Sequence, residues 1–369
     1  MPHARIYLDY NASTPLDPDV AAAVRNALAG PYGNPSSGHW AGAPAREMTQ
    51  RARAQVAGLL DCDPGEIVFT SGGSEANNHA LKGVFFGCGK PAPHFITSQV
   101  EHPAVLNPLR FLERLGARVT YLPVDGTGMV DPDDVRRAIR PQTVLVSVMH
   151  ANNETGAIEP VAAIGRLARE RGVLFHTDAA QSVGKIPVNV RELHADLLSV
   201  AGHKLYAPKG VGALYVREGV KLEPLVHGAG HEAGRRAGTE SVLLDIALGQ
   251  ACETAEGWVG MPGVRELRDH FHRLLVERFG VVLNGHPEER LPNTLNVSFP
   301  GRTGAEILAR APEIAASTGS ACHAGAVELS PVLKAMGVPR ETGMGAIRFS
   351  LGRGTTREEI EQAVALLAG

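Results

Sequence analysis

Residues 173–204 read VLFHTDAAQSVGKIPVNVRELHADLLSVAGHK and contain two β-rich apolar runs, at 173–176 and 197–200. Such runs are typical of buried strands in a sheet that is covered on both faces. Similar runs occur at 67–70, 94–97, 119–122, 144–148 and 210–216. Helical patterns lie between several of them, as at 76–86 and 160–171. This alternation predicts an α/β fold in which a mostly parallel sheet lies between helices.

The pattern changes after about residue 255. A helical stretch at 264–279 is followed by strand-like runs at 295–299 and 347–351, with a short helix at 305–310 between them. This order is typical of a smaller α+β domain. We therefore predict a large domain at residues 15–255 and a small domain formed by residues 1–14 and 256–369.

Composition excludes several classes of protein. The chain has 369 residues, of which 44% are hydrophobic and 20% charged, and its formal net charge is -3. Acidic and basic residues are interspersed, so no basic stripe predicts direct nucleic-acid binding. The first residues have no apolar signal core, and no apolar run is long enough to span a membrane.

The cysteines indicate a reducing compartment. Cys62, Cys88, Cys252 and Cys322 are scattered and show no paired spacing, which argues against a disulfide framework and against a zinc site. We expect a cytoplasmic protein without a metal site. The first three cysteines are interpreted as small buried hydrophobic residues.

Residues suited to ligand binding follow five of the predicted strands. In chain order they are Gly73 and Ser74 in a glycine-rich turn, then His102, Asn153, Asp178, and His203 with Lys204. Ligands of parallel α/β sheets bind outside the carboxyl ends of the strands, so these residues should share one edge. Each has an ordinary explanation by itself, such as a tight turn, a helix cap or a surface lysine. Their joint arrangement favours a binding site.

Asp178 and Lys204 carry the charges that a pyridoxal phosphate site needs. A lysine amine forms a Schiff base with the cofactor aldehyde. An acid keeps the pyridine nitrogen protonated, so that the ring can take up electrons. The sequence therefore predicts pyridoxal 5'-phosphate as the cofactor.

The chain resembles the cysteine desulfurase and selenocysteine lyase family, in the class V branch of fold-type I pyridoxal phosphate-dependent transferases. The similarity runs from YLDYNA at 7–12 through GNPSS at 33–37 to RFSLGR at 348–353. It implies that Lys204 is the catalytic Schiff-base lysine and that Asp178 pairs with the pyridine nitrogen. His102 would stack on the ring and move protons.

The resemblance also implies the remaining cofactor contacts. Gln181 and Asn153 would lie near the phenolic oxygen, and Gly73, Ser74 and His203 would hold the phosphate. Thr239 would reach the phosphate of a neighbouring subunit, which implies a homodimer. Many desulfurases have a serine three residues before the lysine, where this chain has Ala201. The missing hydrogen bond is worth about 1–2 kcal/mol.

Cys322 decides the predicted reaction. It lies in STGSACHAG at 317–325, where small residues and the lack of apolar periodicity predict an accessible, mobile loop. The stretch resembles the desulfurase loop that carries the sulfur-accepting cysteine. Arg348 offers a planar fork that suits the substrate carboxylate, with Asn153 beside it, although a structural ion pair is the ordinary alternative.

The sequence thus predicts a desulfurase that converts L-cysteine to alanine and transfers sulfur through a Cys322 persulfide. The acceptor would be a protein or a small thiol, in a pathway such as iron–sulfur cluster biosynthesis. Selenocysteine lyase, acting on L-selenocysteine, is the nearest alternative. A class V aminotransferase and a non-catalytic sulfur-transfer scaffold are further ones.

Overall fold

A computed structural model describes residues 5–318, 320–323 and 326–368, with the side chains of all of these except 320–323, 326 and 327. The α-helices in this part of the chain are α1 (Pro18–Leu28), α2 (Gly42–Leu60), α3 (Gly73–Gly87), α4 (Pro103–Arg114), α5 (Pro132–Ala138), α6 (Val161–Glu170), α7 (Val242–Glu256), α8 (Val264–Phe279), α9 (Gly304–Arg310), α10 (Pro331–Ala335), α11 (Arg340–Gly343) and α12 (Arg357–Ala368). The strands are β1 (Ile6–Tyr7), β2 (Ile67–Thr70), β3 (His94–Ser98), β4 (Arg118–Leu122), β5 (Thr143–Ser147), β6 (Leu174–Asp178), β7 (Leu197–Ala201), β8 (Gly212–Val216), β9 (Val282–Leu283), β10 (Thr294–Ser298), β11 (Ile314–Ala315), β12 (Ser317–Thr318), β13 (Ser320–His323), β14 (Ala326–Leu329) and β15 (Ala346–Ser350).

A seven-stranded sheet with the order β2-β8-β7-β6-β5-β3-β4 forms the larger layer. Strand β8 runs antiparallel to both of its neighbours, β2 and β7. The pairs formed among β7, β6, β5, β3 and β4 are parallel. The predicted mostly parallel sheet is confirmed, with strand ends shifted by one or two residues.

Helices cover both faces of this sheet. In β2, Ile67 and Phe69 join a core that includes residues of α2, α6 and α7. Val68, between them, packs instead with residues of α3 and α4. Successive residues of a strand point to opposite faces, so strands covered on both sides read as continuous apolar runs.

A second, four-stranded sheet has the order β12-β15-β10-β9, and its paired strands are antiparallel. It shares a core with α8, α9 and α12 through Phe271, Ile307 and Ile360. This agrees with the predicted smaller α+β part. The predicted domain limits at residues 14/15 and 255/256 stay a prediction.

The segment around Cys322 differs from the predicted loop. Strand β13 pairs antiparallel with β14, and Cys322 lies opposite Val327 in the register. Backbone hydrogen bonds form such a hairpin without an apolar side-chain pattern, which is why the sequence did not indicate it. The Cys322 side chain lies outside the described part of the chain, so its accessibility stays a prediction.

Of the three cysteines expected to be buried, only Cys252 in α7 is fully buried. Cys62 and Cys88 follow the ends of α2 and α3 and are partly exposed, which corrects their interpretation. Burial, together with nearby Glu66, raises the pKa of the Cys62 thiol to about 12. A thiol with such a pKa is a poor nucleophile near neutral pH.

The helices of the described residues include none that is both long enough and apolar enough to cross a membrane.

Candidate active site

A cavity of about 540 Å³ brings together most of the predicted site residues. Its walls include Gly73, Ser74, His102, Asn153, Asp178, Gln181, His203 and Lys204. These residues lie at or after the ends of β2, β3, β5, β6 and β7. They meet because parallel strands end at the same edge of a sheet.

Asp178 is the last residue of β6, and it is only 6% exposed. Its carboxylate accepts a hydrogen bond from Asn77 Nδ2 at 2.6 Å and one from the Ala180 backbone N–H at 2.9 Å. These two donors fix the orientation of the buried carboxylate. Asn77 lies on α3, about a hundred positions earlier, and sequence reasoning missed it.

Lys204 ends a short 3₁₀ turn that follows β7. Its amine donates to the backbone carbonyl oxygen of Asn11. Burial, followed by the positive charge of Arg348, lowers the pKa of the Lys204 amine to about 8, although Asp178 opposes this change. More of the amine is therefore uncharged near neutral pH than in an exposed lysine, and the uncharged form is the nucleophile.

His102 is the N-cap of α4, and its Nδ1 accepts a hydrogen bond from the Ala104 backbone N–H at 3.1 Å. Because Nδ1 is the acceptor, Nε2 carries the proton of the neutral ring. Burial lowers the pKa of His102; Asp178 opposes this change and Lys204 adds to it. His102 is thus a neutral imidazole whose Nε2–H is available as a hydrogen-bond donor. Its role in moving protons stays a prediction.

The glycine-rich turn after β2 suits a phosphate. Gly73 and Ser74 form the first turn of α3, where backbone N–H groups lack partners within the helix. Gly72 has a backbone φ of 145°, a conformation that residues other than glycine rarely adopt. A Cβ on Gly73 would lie 3.2 Å from the Cβ of Ala201, so small residues keep this part of the cavity open.

Ala201 is the last residue of β7 and lines the cavity. Ser199, two residues earlier, does not substitute for the missing serine. It is buried in the sheet, and its Oγ lies 3.0 Å from His176 Nε2. The Ser199 hydroxyl therefore does not replace the phosphate contact that a serine at position 201 would make.

Arg348 lies behind the cavity wall. Its Nη1 donates to the Asn153 carbonyl oxygen at 2.9 Å, and its Nη2 donates to Asp9 Oδ1 at 2.7 Å and Ser317 Oγ at 2.9 Å. The structure thus contains the ion pair considered as the alternative. The substrate-binding roles of Arg348 and Asn153 stay predictions.

One predicted residue, Thr239, lies apart from this arrangement. Thr239 is exposed and lies outside the walls of the cavity. Its contact with the phosphate of a neighbouring subunit stays a prediction. Cys322 has a described backbone only.

Sequence reasoning also missed Asn11 and Lys185, which lie directly behind the cavity wall. Lys185 Nζ donates to Asn11 Oδ1 at 3.0 Å and to Gln181 Oε1 at 2.8 Å. Gln181 Nε2 in turn donates to the Asn11 carbonyl oxygen at 3.0 Å. Only the spacing of Gln181 and Lys185, four positions apart, was visible in the sequence.

The cavity residues fit pyridoxal phosphate. That cofactor needs an amine for its aldehyde, an acid for its ring nitrogen and an anion site for its phosphate. Lys204, the buried carboxylate of Asp178 and the first turn of α3 provide these groups around one cavity. Because Gly73 has no Cβ, the space beside it stays open for an anion.

Comparison with known proteins gives the class of protein first. The family model of the class-V aminotransferases matches residues 6–363. Enzymes of this class depend on pyridoxal phosphate.

Relatives and solved structures define the branch. The cysteine desulfurase IscS of Dictyoglomus turgidum is 48% identical, over 98% of this chain and 93% of its own length. That of Methanosarcina thermophila is 44% identical, over 98% and 91%. A NifS-like protein of known structure superposes with a TM-score of 0.93 at 36% identity, covering 99% of this chain and 98% of its own. A structure described as SspA in complex with cysteine has a TM-score of 0.85 at 37% identity, covering 95% and 100%. The chain therefore belongs to the cysteine desulfurase branch of the class-V aminotransferase family.

Proposed function

We propose that this protein is a cysteine desulfurase, which converts L-cysteine to L-alanine and passes the sulfur to an acceptor through Cys322. The observation that carries the proposal is that Lys204 and Asp178, from neighbouring strands, line the same cavity. The full-length similarity to cysteine desulfurases selects the reaction among those that such a site serves.

Lys204 would bind the cofactor, Asp178 would pair with its ring nitrogen, and Gly73, Ser74 and His203 would hold its phosphate. Once bound, pyridoxal phosphate supplies an electron-accepting ring that stabilises negative charge at the substrate α-carbon. Burial, followed by the Lys204 charge, lowers the pKa of His203 to about 4, so His203 serves as a neutral hydrogen-bond donor.

The amine and the imidazole have different roles in the reaction. Lys204 Nζ, with its lowered pKa, takes the α-proton of the substrate as a general base. His102 would donate a hydrogen bond into the cavity through its Nε2–H, because Nδ1 is occupied by the helix cap. A general base and a neutral hydrogen-bond donor would thus share one cavity.

The sulfur step belongs to Cys322. Its thiolate attacks the sulfur of the substrate, the carbon–sulfur bond breaks, and that bond's electron pair stays with the substrate carbon. Protonation of this carbon completes L-alanine, while Cys322 keeps the transferred sulfur as a persulfide. No external oxidant is needed, since one thiol and cysteine give one persulfide and alanine.

The alternatives from the sequence are less well supported. The curated relatives are named cysteine desulfurases, and one structural neighbour, SspA, is described as a complex with cysteine. These names favour L-cysteine over L-selenocysteine as substrate, and desulfuration over amino transfer. A catalytic role is also favoured over a scaffold, because the amine and the acid lie in the same cavity.

The sulfur acceptor, the second subunit and the cellular location are also part of the proposed function. A protein or a small thiol would accept the sulfur, with iron–sulfur cluster biosynthesis as the pathway that the names of the relatives support. Thr239 would serve the second subunit of a homodimer. A cytoplasmic location is supported by Cys62, Cys88 and Cys252, which are free thiols in the described part of the chain.

The test is an assay of alanine and sulfide from L-cysteine with a small thiol present, which reduces the Cys322 persulfide and releases its outer sulfur as sulfide. The Lys204→Ala and Cys322→Ala variants are assayed beside the wild type. We expect Lys204→Ala to form neither product. Cys322→Ala should keep the cofactor absorbance and lose sulfide release, because only the second nucleophile is removed. Normal sulfide release by Cys322→Ala would refute the persulfide step, and wild-type alanine formation that requires a keto acid would indicate an aminotransferase.

A further inference from the structure

Lys185 is a buried lysine that the reaction described above does not use. It lies four residues after Gln181, in the turn that follows β6, and it is only 5% exposed. The described residues place no carboxylate within ion-pair distance of it, and the charges that act on it are the cations Lys204 and Arg348. Burial, followed by these two charges, lowers the pKa of the Lys185 amine well below its ordinary value. An uncharged amine is therefore favoured at this position.

The contacts of Lys185 match the donors of an uncharged amine. Such an amine has two N–H groups, and two acceptors lie within reach, Asn11 Oδ1 at 3.0 Å and Gln181 Oε1 at 2.8 Å. A charged amine would donate to Gln181 as well, so the direction of this hydrogen bond is the same in both forms.

The hydrogen bond determines the orientation of the Gln181 amide. A glutamine amide can turn over and exchange its oxygen with its nitrogen. Lys185 fixes the oxygen on its own side, which leaves Nε2 to donate to the Asn11 carbonyl oxygen at 3.0 Å. Nε2 has a second hydrogen, which is available to a group in the cavity that Gln181 lines.

Asn11 extends this arrangement to Lys204. Its carbonyl oxygen accepts hydrogen bonds from both Gln181 and Lys204. Its side-chain oxygen accepts from Lys185 and Asn293, and its Nδ2 donates to Thr294 Oγ1 at 2.8 Å. Asn11 is fully buried, so it holds both residues of the site in fixed positions.

We propose that Lys185 is a positioning residue, which holds the Gln181 amide so that its N–H faces the phenolic oxygen of the bound cofactor. This inference rests on the proposed function, since it concerns the same cofactor. It predicts that Lys185 acts on the cofactor only through Gln181. A lysine that merely filled space in the core would have no such dependence.

The experiment compares Lys185→Met, Lys185→Gln, Gln181→Met and the Lys185→Met/Gln181→Met double variant, each loaded with pyridoxal phosphate. The readout is the pH midpoint at which the visible absorbance of the bound cofactor titrates. Methionine keeps the volume and apolar stem of lysine but has no donor, whereas the glutamine amide retains two N–H groups. Lys90→Met removes an exposed lysine that donates to the Pro141 carbonyl and is the matched control.

We expect the midpoint of Lys185→Met to rise by about one pH unit, because the phenolic oxygen loses a donor that stabilises its anion. Lys185→Gln should recover most of this shift, and Lys90→Met should show none. In the Gln181→Met background, Lys185→Met should cause no further shift, since the two residues act as one unit.

Two results would overturn the proposal. One is an unchanged midpoint in Lys185→Met, and the other is a shift of the same size with and without Gln181. Thermal unfolding of each variant without cofactor separates a general loss of stability from the specific effect. Failure of the proposed function is recognised separately, because the titration requires bound cofactor but no turnover of L-cysteine.

Discussion

At the scale of single residues, we expect the amine of Lys204 to determine how fast the chain captures its cofactor. Burial and Arg348 lower its pKa to about 8 from its ordinary value of 10.5. Only the uncharged amine attacks an aldehyde. We therefore predict that the capture rate of pyridoxal phosphate rises about tenfold per pH unit below pH 8 and levels off above it. The growth of the visible absorbance after mixing with cofactor-free protein measures this rate.

Variants of the neighbouring charges should move this midpoint in opposite directions. Arg348→Met removes a cation that lowers the pKa of Lys204, so the midpoint should rise. Asp178→Asn removes a carboxylate that raises the pKa, so the midpoint should fall. A wild-type rate that keeps rising to pH 10 would contradict the lowered pKa.

At the scale of secondary structure elements, the sequence predicted the frame of the site but not its internal contacts. The strands were found because both faces of the large sheet are covered, which leaves long apolar runs. Asp178 and Lys204 were found because they follow such runs. Asn77 was missed because its contact with Asp178 joins two elements about a hundred positions apart. Nothing in the local pattern marks an interaction of that kind.

Lys185 and the Cys322 hairpin are two further features that could not be predicted from the sequence. Lys185 resembles any lysine in the sequence, and its burial results from packing against Asn11, 174 positions away. The Cys322 segment has no apolar alternation, because its pairing depends on backbone hydrogen bonds. The burial of Lys185 depends on a contact with a residue distant in sequence, and the hairpin depends on backbone contacts. Neither kind of contact changes the periodicity of the apolar side chains, so neither could be predicted from it.

Helix α10 begins directly after this hairpin, and Ser330 connects the two. Its Oγ caps α10 by accepting from the Val332 and Leu333 backbone N–H groups, and it donates to the Glu154 carboxylate. Asn153, the neighbour of Glu154, lines the cavity. Ser330 therefore ties the base of the hairpin to the wall of the site.

We predict that Ser330→Ala slows sulfide release on the order of fivefold, the rate equivalent of a lost N-cap of about 1 kcal/mol. Cofactor absorbance should be unchanged, since Ser330 does not line the cavity. Glu154→Gln keeps an acceptor for the Ser330 hydroxyl and should stay close to the wild type. An equal loss in both variants, or a loss of cofactor in Ser330→Ala, would contradict the proposed link.

At the scale of the whole molecule, the N-terminal segment connects the two sheets. Strand β1 pairs in parallel with β11, near the four-stranded sheet. A few residues later, Asn11 contacts Lys204 and Gln181 at the large sheet and Thr294 in β10. Lys204 is thus held by a segment that packs on both parts of the fold.

The proposed homodimer gives the last prediction, because Thr239 would complete the phosphate site of the other subunit. Thr239→Asp should bind cofactor weakly, since its carboxylate would repel the phosphate, and Lys204→Ala should be inactive. A heterodimer of the two has one site in which an intact Lys204 meets an intact Thr239 from the partner. Random reassociation of equal amounts gives about half heterodimers, so about a quarter of wild-type activity should return. Mixing each variant with itself is the control. If Thr239 served its own subunit, neither site of the heterodimer would be intact and the mixture would stay inactive.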